Sequence, residues 1–360
     1  MEEENHLPLM TGLICPLPIQ HNQTIVTGHG SGGRMTHELI QKVFMPRLDS
    51  PALRVANDAA SLELPAAACL SGRLAVCTDA HIVTPLFFPG GDIGRLAICG
   101  TVNDVCMLGA DPLYLTAAFI LEEGLPIETL ERVLDSMRAA ADEAGVQIVA
   151  GDTKVVEKGK ADGLFIATSG VGWIPAGRNI GGEKAQPGDV VLLSGSLGEH
   201  GIAVLTARGE LGLETGLESD TAPLNSLIHS VLSASPHTHV LRDPTRGGLA
   251  AALNEIAAQS GVGMLLHENT IPVQPAVRAA CELLGFDPYS IANEGKVIVI
   301  TPADEAEAAL AAMQRHPYGK HAARIGQVVA EHPQRVLLRT RIGGTRLLDT
   351  PSGDLLPRIC

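Results

Sequence analysis

Aromatic side chains make up only 3% of these 360 residues, so the core must be built from Ala, Val, Leu and Ile, with close approaches at the 39 glycines. Blocks of Lys and Arg are also missing, and the formal net charge is −14. A chain this acidic has no electrostatic footprint for nucleic acid and would be repelled by anionic membranes. A polyphosphate could join it only through a bridging divalent cation. Seven cysteines are present (15, 69, 77, 99, 106, 281 and 360), but no CxxC pair, so the usual zinc spacing is absent. An odd count at irregular spacing fits reduced cytosolic thiols better than a disulfide framework. No apolar run reaches the roughly 18 residues of a membrane span. The opening MEEENHLPLM is acidic and lacks a signal-peptide core.

What is present is 45% hydrophobic and 18% charged, a balance that excludes wholesale disorder. The length suggests two domains. Residues 1–20 read as a loose extension. From 21 to 174, short β-like runs alternate with helical stretches: strands at 74–78, 113–121, 147–150 and 164–171, helices at 93–108 and 127–144. The Gly- and Pro-rich stretch 174–188 has no periodicity and reads as the inter-domain connection. A second α/β unit over 175–350 has strands at 190–194 and 297–301 and helices at 198–208, 246–260 and 304–314. Residues 351–360, with two prolines and a glycine, read as a mobile tail.

Four aspartates follow apolar runs at element ends: Asp58 in NDAA, Asp79 in TDAH, Asp104 in TVNDV and Asp152 in GDTKV. Singly, each is as well explained by a turn or a helix N-cap. Gathered together they would repel unless a cation such as Mg²⁺ joined them. The run Gly28-His29-Gly30-Ser31-Gly32-Gly33-Arg34 could ring a phosphate with backbone N–H groups and add the Arg34 charge. It is equally readable as a flexible turn, and it is neither a Rossmann nor a P-loop fingerprint. In Asp243-Pro244-Thr245-Arg246-Gly247-Gly248 a rigid turn precedes a helix N-terminus, a ready anion site, although Thr245 would also serve as a plain N-cap. The sequence ends in Pro357-Arg358-Ile359-Cys360, and a cysteine there is a poor packing element.

Together, GHGSGGRM, NDAA, TDAHIVTPLFFPGGDIGRLAICGTVNDVCMLGA, GDTKVV, DPTRGGL, ANEG and the final PRIC resemble the HypE family of hydrogenase maturation carbamoyl dehydratases, from about residue 25 to 360. TVNDV, GDTKV and DPTRGG belong to the wider superfamily of aminoimidazole ribonucleotide synthetase-like proteins. FFPGGDIG and PRIC look specific to HypE. The resemblance implies a two-domain α/β (α+β) fold, a homodimer formed through the N-terminal sheet, and ATP in a cleft near the dimer interface. It implies that HypF loads a carbamoyl group onto the Cys360 sulfur, that ATP dehydrates it to a thiocyanate, and that the cyano group passes to iron on a HypC–HypD complex.

On that basis Mg²⁺ is assigned to Asp58, Asp79, Asp104, Asp152 and Asp243. Nucleotide binding is assigned to Gly30, Ser31, Gly32, Gly33, Arg34, Asn103, Thr153, Arg246 and Gly247. Lys154, two residues past Asp152, would share its strand face and could neutralise the transferring phosphoryl group. Glu294 in ANEG is the candidate base, provided burial raises its pKa; otherwise it is an ordinary loop glutamate. His81 is better read as a satisfied structural histidine. Ten extended residues span roughly 33–36 Å, enough to carry one sulfur between two active sites. Two other readings remain open: a small-molecule synthetase or kinase of the same superfamily, and a nucleotide-binding scaffold.

Overall fold

The computed structural model describes residues 23–30, 34–54, 71–209, 216–351, 356 and 358–360. Ser31, Gly32, Gly33, Asp58 and the side chain of Arg34 lie outside the described residues.

The first unit is a four-stranded sheet of β1 (Gly72–His81), β2 (Asp111–Glu122), β3 (Gln147–Val156) and β4 (Leu164–Pro175), in the order β1-β4-β2-β3. Its helices α1 (Ile93–Cys106) and α2 (Ile127–Ala144) cover one face. The α1 start is fixed by Asp92, whose carboxylate accepts from the N–H groups of Gly94 at 2.7 Å and Arg95 at 3.1 Å. The α2 end is set by Gly145, which takes the left-handed φ of 70°. Most of α1 is apolar or small, and it is buried on nearly every side.

Strand alternation decides what each β1 residue meets. Ala75, Cys77, Asp79 and His81 turn towards α1, whereas Leu74 and Val76 face outward, 52% and 69% exposed. The register carries that outward face across the sheet through Ala167 and Ala118 to Asp152, and through Ile120 to Lys154.

The second unit is a seven-stranded sheet of β5 (Val190–Leu193), β6 (Val240–Arg242), β7 (Gly263–His267), β8 (Ile298–Thr301), β9 (Ala323–Val329), β10 (Val336–Arg339) and β11 (Thr345–Leu347). The order is β11-β10-β7-β9-β5-β8-β6. In β5 and β8 every residue is buried, as their unbroken apolar runs require. Its helices include α3 (Glu199–Ala207), α4 (Asn225–Ala234) and α5 (Gly248–Ser260).

The two units share a core. One apolar cluster joins Leu96, Ile98 and Val102 of α1 to Leu224 and Leu227 beside α4, and to Leu356 and Ile359 near the end of the sequence. The connection is shorter than the 174–188 expected: β4 runs to Pro175, and Gly182–Lys184 form a single 3₁₀ turn.

Candidate functional site

A cleft lies where the two units meet. Asp79 comes from β1, Asp104 from the last turn of α1, and Asp243 from the loop after β6. The next residues, Thr245, Arg246 and Gly247, lead into the N-terminus of α5, where Gly247 and Gly248 have φ of 76° and 61°. Gly248 has no room for a side chain, because a Cβ would come within 2.6 Å of the Tyr289 and Ile291 carbonyls. That close approach locks the DPTRGG loop to the ANEG loop. Asn293 adds to it, donating its amide to Pro244 O at 2.9 Å while its side-chain oxygen accepts from Gly198 N at 2.7 Å.

Two cavities flank Arg246. One, of about 420 Å³, is lined by Asp104, Arg242, Asp243 and Glu255; the other, of about 460 Å³, by Asp79, Ile359 and Cys360. The acids repel one another in a poorly solvated space. Burial, and then the charges of Asp243 and Asp79, push the Asp104 carboxyl up to about 7. Asp243 is raised chiefly by burial. Glu294 is raised well above the usual range by burial and then by Asp243, Asp220, Asp79 and Asp104. Its Oε1 is buried without a hydrogen-bond partner. The Cys360 thiol is likewise pushed up, by burial first and then by the Glu294 charge.

Such a cleft is short of positive charge. Its donors are hard carboxylate oxygens, which suit Mg²⁺. Among the described residues no three His, Cys, Asp or Glu side chains stand close enough to hold an ion unaided, so phosphate oxygens would have to complete the shell.

Several assigned residues are elsewhere. Asp152 lies on β3, three strand spacings or about 14 Å from β1, and on the opposite face of the sheet from Asp79. Lys154 does share its face, pairing with Asp152 at 3.3 Å, and both are exposed. Thr153 points to the inner face beside Phe119. Gly30 packs against β3 too, where a Cβ would collide with Val155. Asn103 points to the contact between the two units. It is buried, donating to Ala222 O at 3.1 Å and Glu294 O at 3.4 Å and accepting from Leu224 N at 2.8 Å, so its amide ties the two units together. His81 is buried and bonded to Thr168 at 3.2 Å.

The end of the sequence is seated rather than free. Leu356 and Ile359 are buried. Thr84 N and the Arg208 guanidinium donate to Arg358 O at 3.2 and 2.9 Å, and His200 Nε2 to Ile359 O at 2.8 Å. The sequence reading missed His200, Arg208, Ser219 and a buried cluster in which Lys296 pairs with Glu199 at 3.2 Å and Asp220 at 3.0 Å. None of them carries a motif of its own, and only the tertiary fold brings each to the site.

Two family models match the chain: the AIR synthase related protein N-terminal domain over residues 57–174 and the C-terminal domain over 186–339. A Cupriavidus necator protein named carbamoyl dehydratase HypE is 55% identical, the match covering 96% of this chain and 97% of that one. A crystal structure of hydrogenase maturation protein HypE in complex with ATP superposes with a TM-score of 0.88, at 49% identity, covering 94% of this chain and all of that one. A HypE solved in a HypE–HypF complex gives a TM-score of 0.76 at 50% identity, covering 87% of this chain and 99% of that one.

Proposed function

The chain belongs to the carbamoyl dehydratase HypE family, and on that premise we propose how its cleft turns a carbamoyl group on Cys360 into a thiocyanate. ATP is the dehydrating reagent. An amide oxygen leaves poorly as hydroxide. Once it carries the γ-phosphoryl group of ATP it departs as phosphate, and loss of the N–H protons completes the C≡N bond, with ADP and phosphate as the other products. The work of the protein is positioning and charge neutralisation.

The observation that carries this reading is the seat of Cys360. Its sulfur shares a cavity with Asp79 and Arg246, and the buried Glu294 carboxylate is near enough to raise its pKa. Glu294 is the base for the amide proton, and burial gives its carboxylate the raised pKa that task needs. Arg246 and the α5 N-terminus hold phosphate. Asp79, Asp104 and Asp243 would hold Mg²⁺, whose chemistry is to screen the nucleotide's charge from the acids around it.

Asp152 and Lys154 keep a place in the site if a second copy supplies them. The outward face of the first sheet exposes Leu74, Val76 and Ile120 beside that ion pair, an apolar surface suited to a homodimer. One protomer's Asp152 and Lys154 then serve the cleft of the other.

HypF is the partner that loads Cys360, supported by the complex a relative forms with it. The cyano group passes to a HypC–HypD complex. No helix among the described residues is long and apolar enough to cross a membrane, and the described cysteines are free thiols, which supports a cytoplasmic setting. Mass spectrometry of the Cys360 peptide after incubation with HypF, carbamoyl phosphate and ATP tests the chemistry. A carbamoyl adduct followed by loss of water is expected. An unmodified peptide alongside turnover of a free metabolite would refute it.

A further inference from the structure

We propose that His200 is the positioning residue that latches the Cys360 segment in the cleft, and that the FFPGG turn and Ser219–Thr221 serve to hold it. His200 opens α3 and is fully buried. Its Nε2 faces Ile359 O at 2.8 Å, and a carbonyl can only accept, so Nε2 carries the hydrogen. Burial lowers the imidazole pKa and keeps the ring neutral, so Nδ1 must accept, and its partner at 2.8 Å is Ser219 Oγ. With the Ser219 hydroxyl spent on the ring, its lone pairs are free to accept from Thr221 N at 3.2 Å and Thr221 Oγ1 at 2.7 Å. The chain of bonds runs one way and selects one tautomer.

The family-specific turn is built around this ring. Phe88 meets the imidazole edge-on, 5.5 Å between centroids. Pro89 O accepts from Ser219 N at 2.7 Å. At Gly90, where φ is 84°, a Cβ would come within 2.6 Å of Ser219 N. Next in sequence, Asp220 turns the other way and accepts from Glu294 N at 3.1 Å and Gly295 N at 3.2 Å. Residues 219 and 220 therefore help to position the Cys360 segment and the loop of Glu294 from a single stretch of backbone. In this chain the FFPGG turn helps to build the seat that Ile359 and Cys360 occupy.

The effect on dehydration rests on the carbamoyl reading; the latch itself does not. The test uses the full chain. Cys360 alkylation by iodoacetamide is followed by mass spectrometry, and single-turnover dehydration of the carbamoylated protein is followed in parallel. His200→Leu, which removes the donor, is expected to speed alkylation and slow dehydration, each about five- to tenfold, with the KM for ATP unchanged. His200→Gln, which offers an amide N–H in place of Nε2, should stay near wild type. Ser219→Ala, which frees the tautomer, should speed alkylation about two- to threefold. Alkylation of a folded His200→Leu within twofold of wild type, or His200→Gln behaving like it, would overturn the latch. If His200→Leu does not fold, unchanged alkylation in both Ser219→Ala and Phe88→Leu overturns it. The expected alkylation pattern with no dehydration by wild type would uphold the latch and sink the carbamoyl reading.

Discussion

Asp79 and Asp152 look alike in sequence, each an aspartate after a run of apolar or small residues, yet they have opposite environments. Asp79 turns inward from β1 to a cleft where Asp104, Asp243 and Glu294 are crowded and hard to ionise. Asp152 turns outward from β3, exposed and already paired with Lys154. The difference is strand parity: a shift of one residue moves a side chain to the other face of a sheet. A carboxylate after an apolar run therefore marks the rim of a sheet without saying which face it joins. Here the two faces are the two halves that one site would need.

The comparison is broken most decisively by subunit mixing. Lys154→Ala and Cys360→Ser are each expected to abolish thiocyanate formation, with nucleotide binding retained in Cys360→Ser. In a mixed population, the Cys360 of one mutant meets the intact Lys154 of the other, and activity should return. No recovery on mixing, with dimers verified by light scattering, would mean the open face does not serve the partner's cleft. Next in size, Glu294→Gln should slow single-turnover dehydration about 10²-fold or more while carbamoylation of Cys360 continues. A loss below tenfold would leave Glu294 a merely buried carboxyl.

The smallest effect sharpens the electrostatic side. Asp104 has its folded-state pKa raised to about 7 from an ordinary 3.8, so the native state holds that proton more tightly than the unfolded chain. Its contribution to stability is present below about pH 4 and is lost as pH rises through about 7. Asp104→Asn removes the charge. Without nucleotide it should raise the Tm by about 2–4 °C at pH 8 and by much less at pH 5. A gain independent of pH would show that the Asp104 charge is not what destabilises the cleft.

Long periodic elements were legible in the sequence: α2 spans the 127–144 that its amphipathic pattern gives, and β5 and β8 follow their apolar runs. The loops at Asp243–Gly247 and Glu294, which line the cleft, were legible as loops as well, because glycine and proline punctuate them. The strand at 147–150 was read too short, since Asp152 and Lys154 look like a loop until their pairing with β2 as far as Val156 is seen. The placement of Asn103 was hidden for a related reason. Within TVNDV it sits beside Asp104, but on a helix adjacent residues point about 100° apart, so one meets the cleft and the other the domain contact. His200 had no signal at all, because its partners are 19 and 159 residues away in the chain.

The main-chain bonds that hold the sequence end are made to the carbonyls of Arg358 and Ile359, two residues and one residue short of the sulfur. A handle made of main chain is the same whether the cargo is a bare thiol, an amide or a nitrile. Chemical progress at the sulfur thus leaves these main-chain bonds as they are. On the proposed function, release would be timed by something other than these bonds: the nucleotide spent in the cleft or the protein that takes the cyano group.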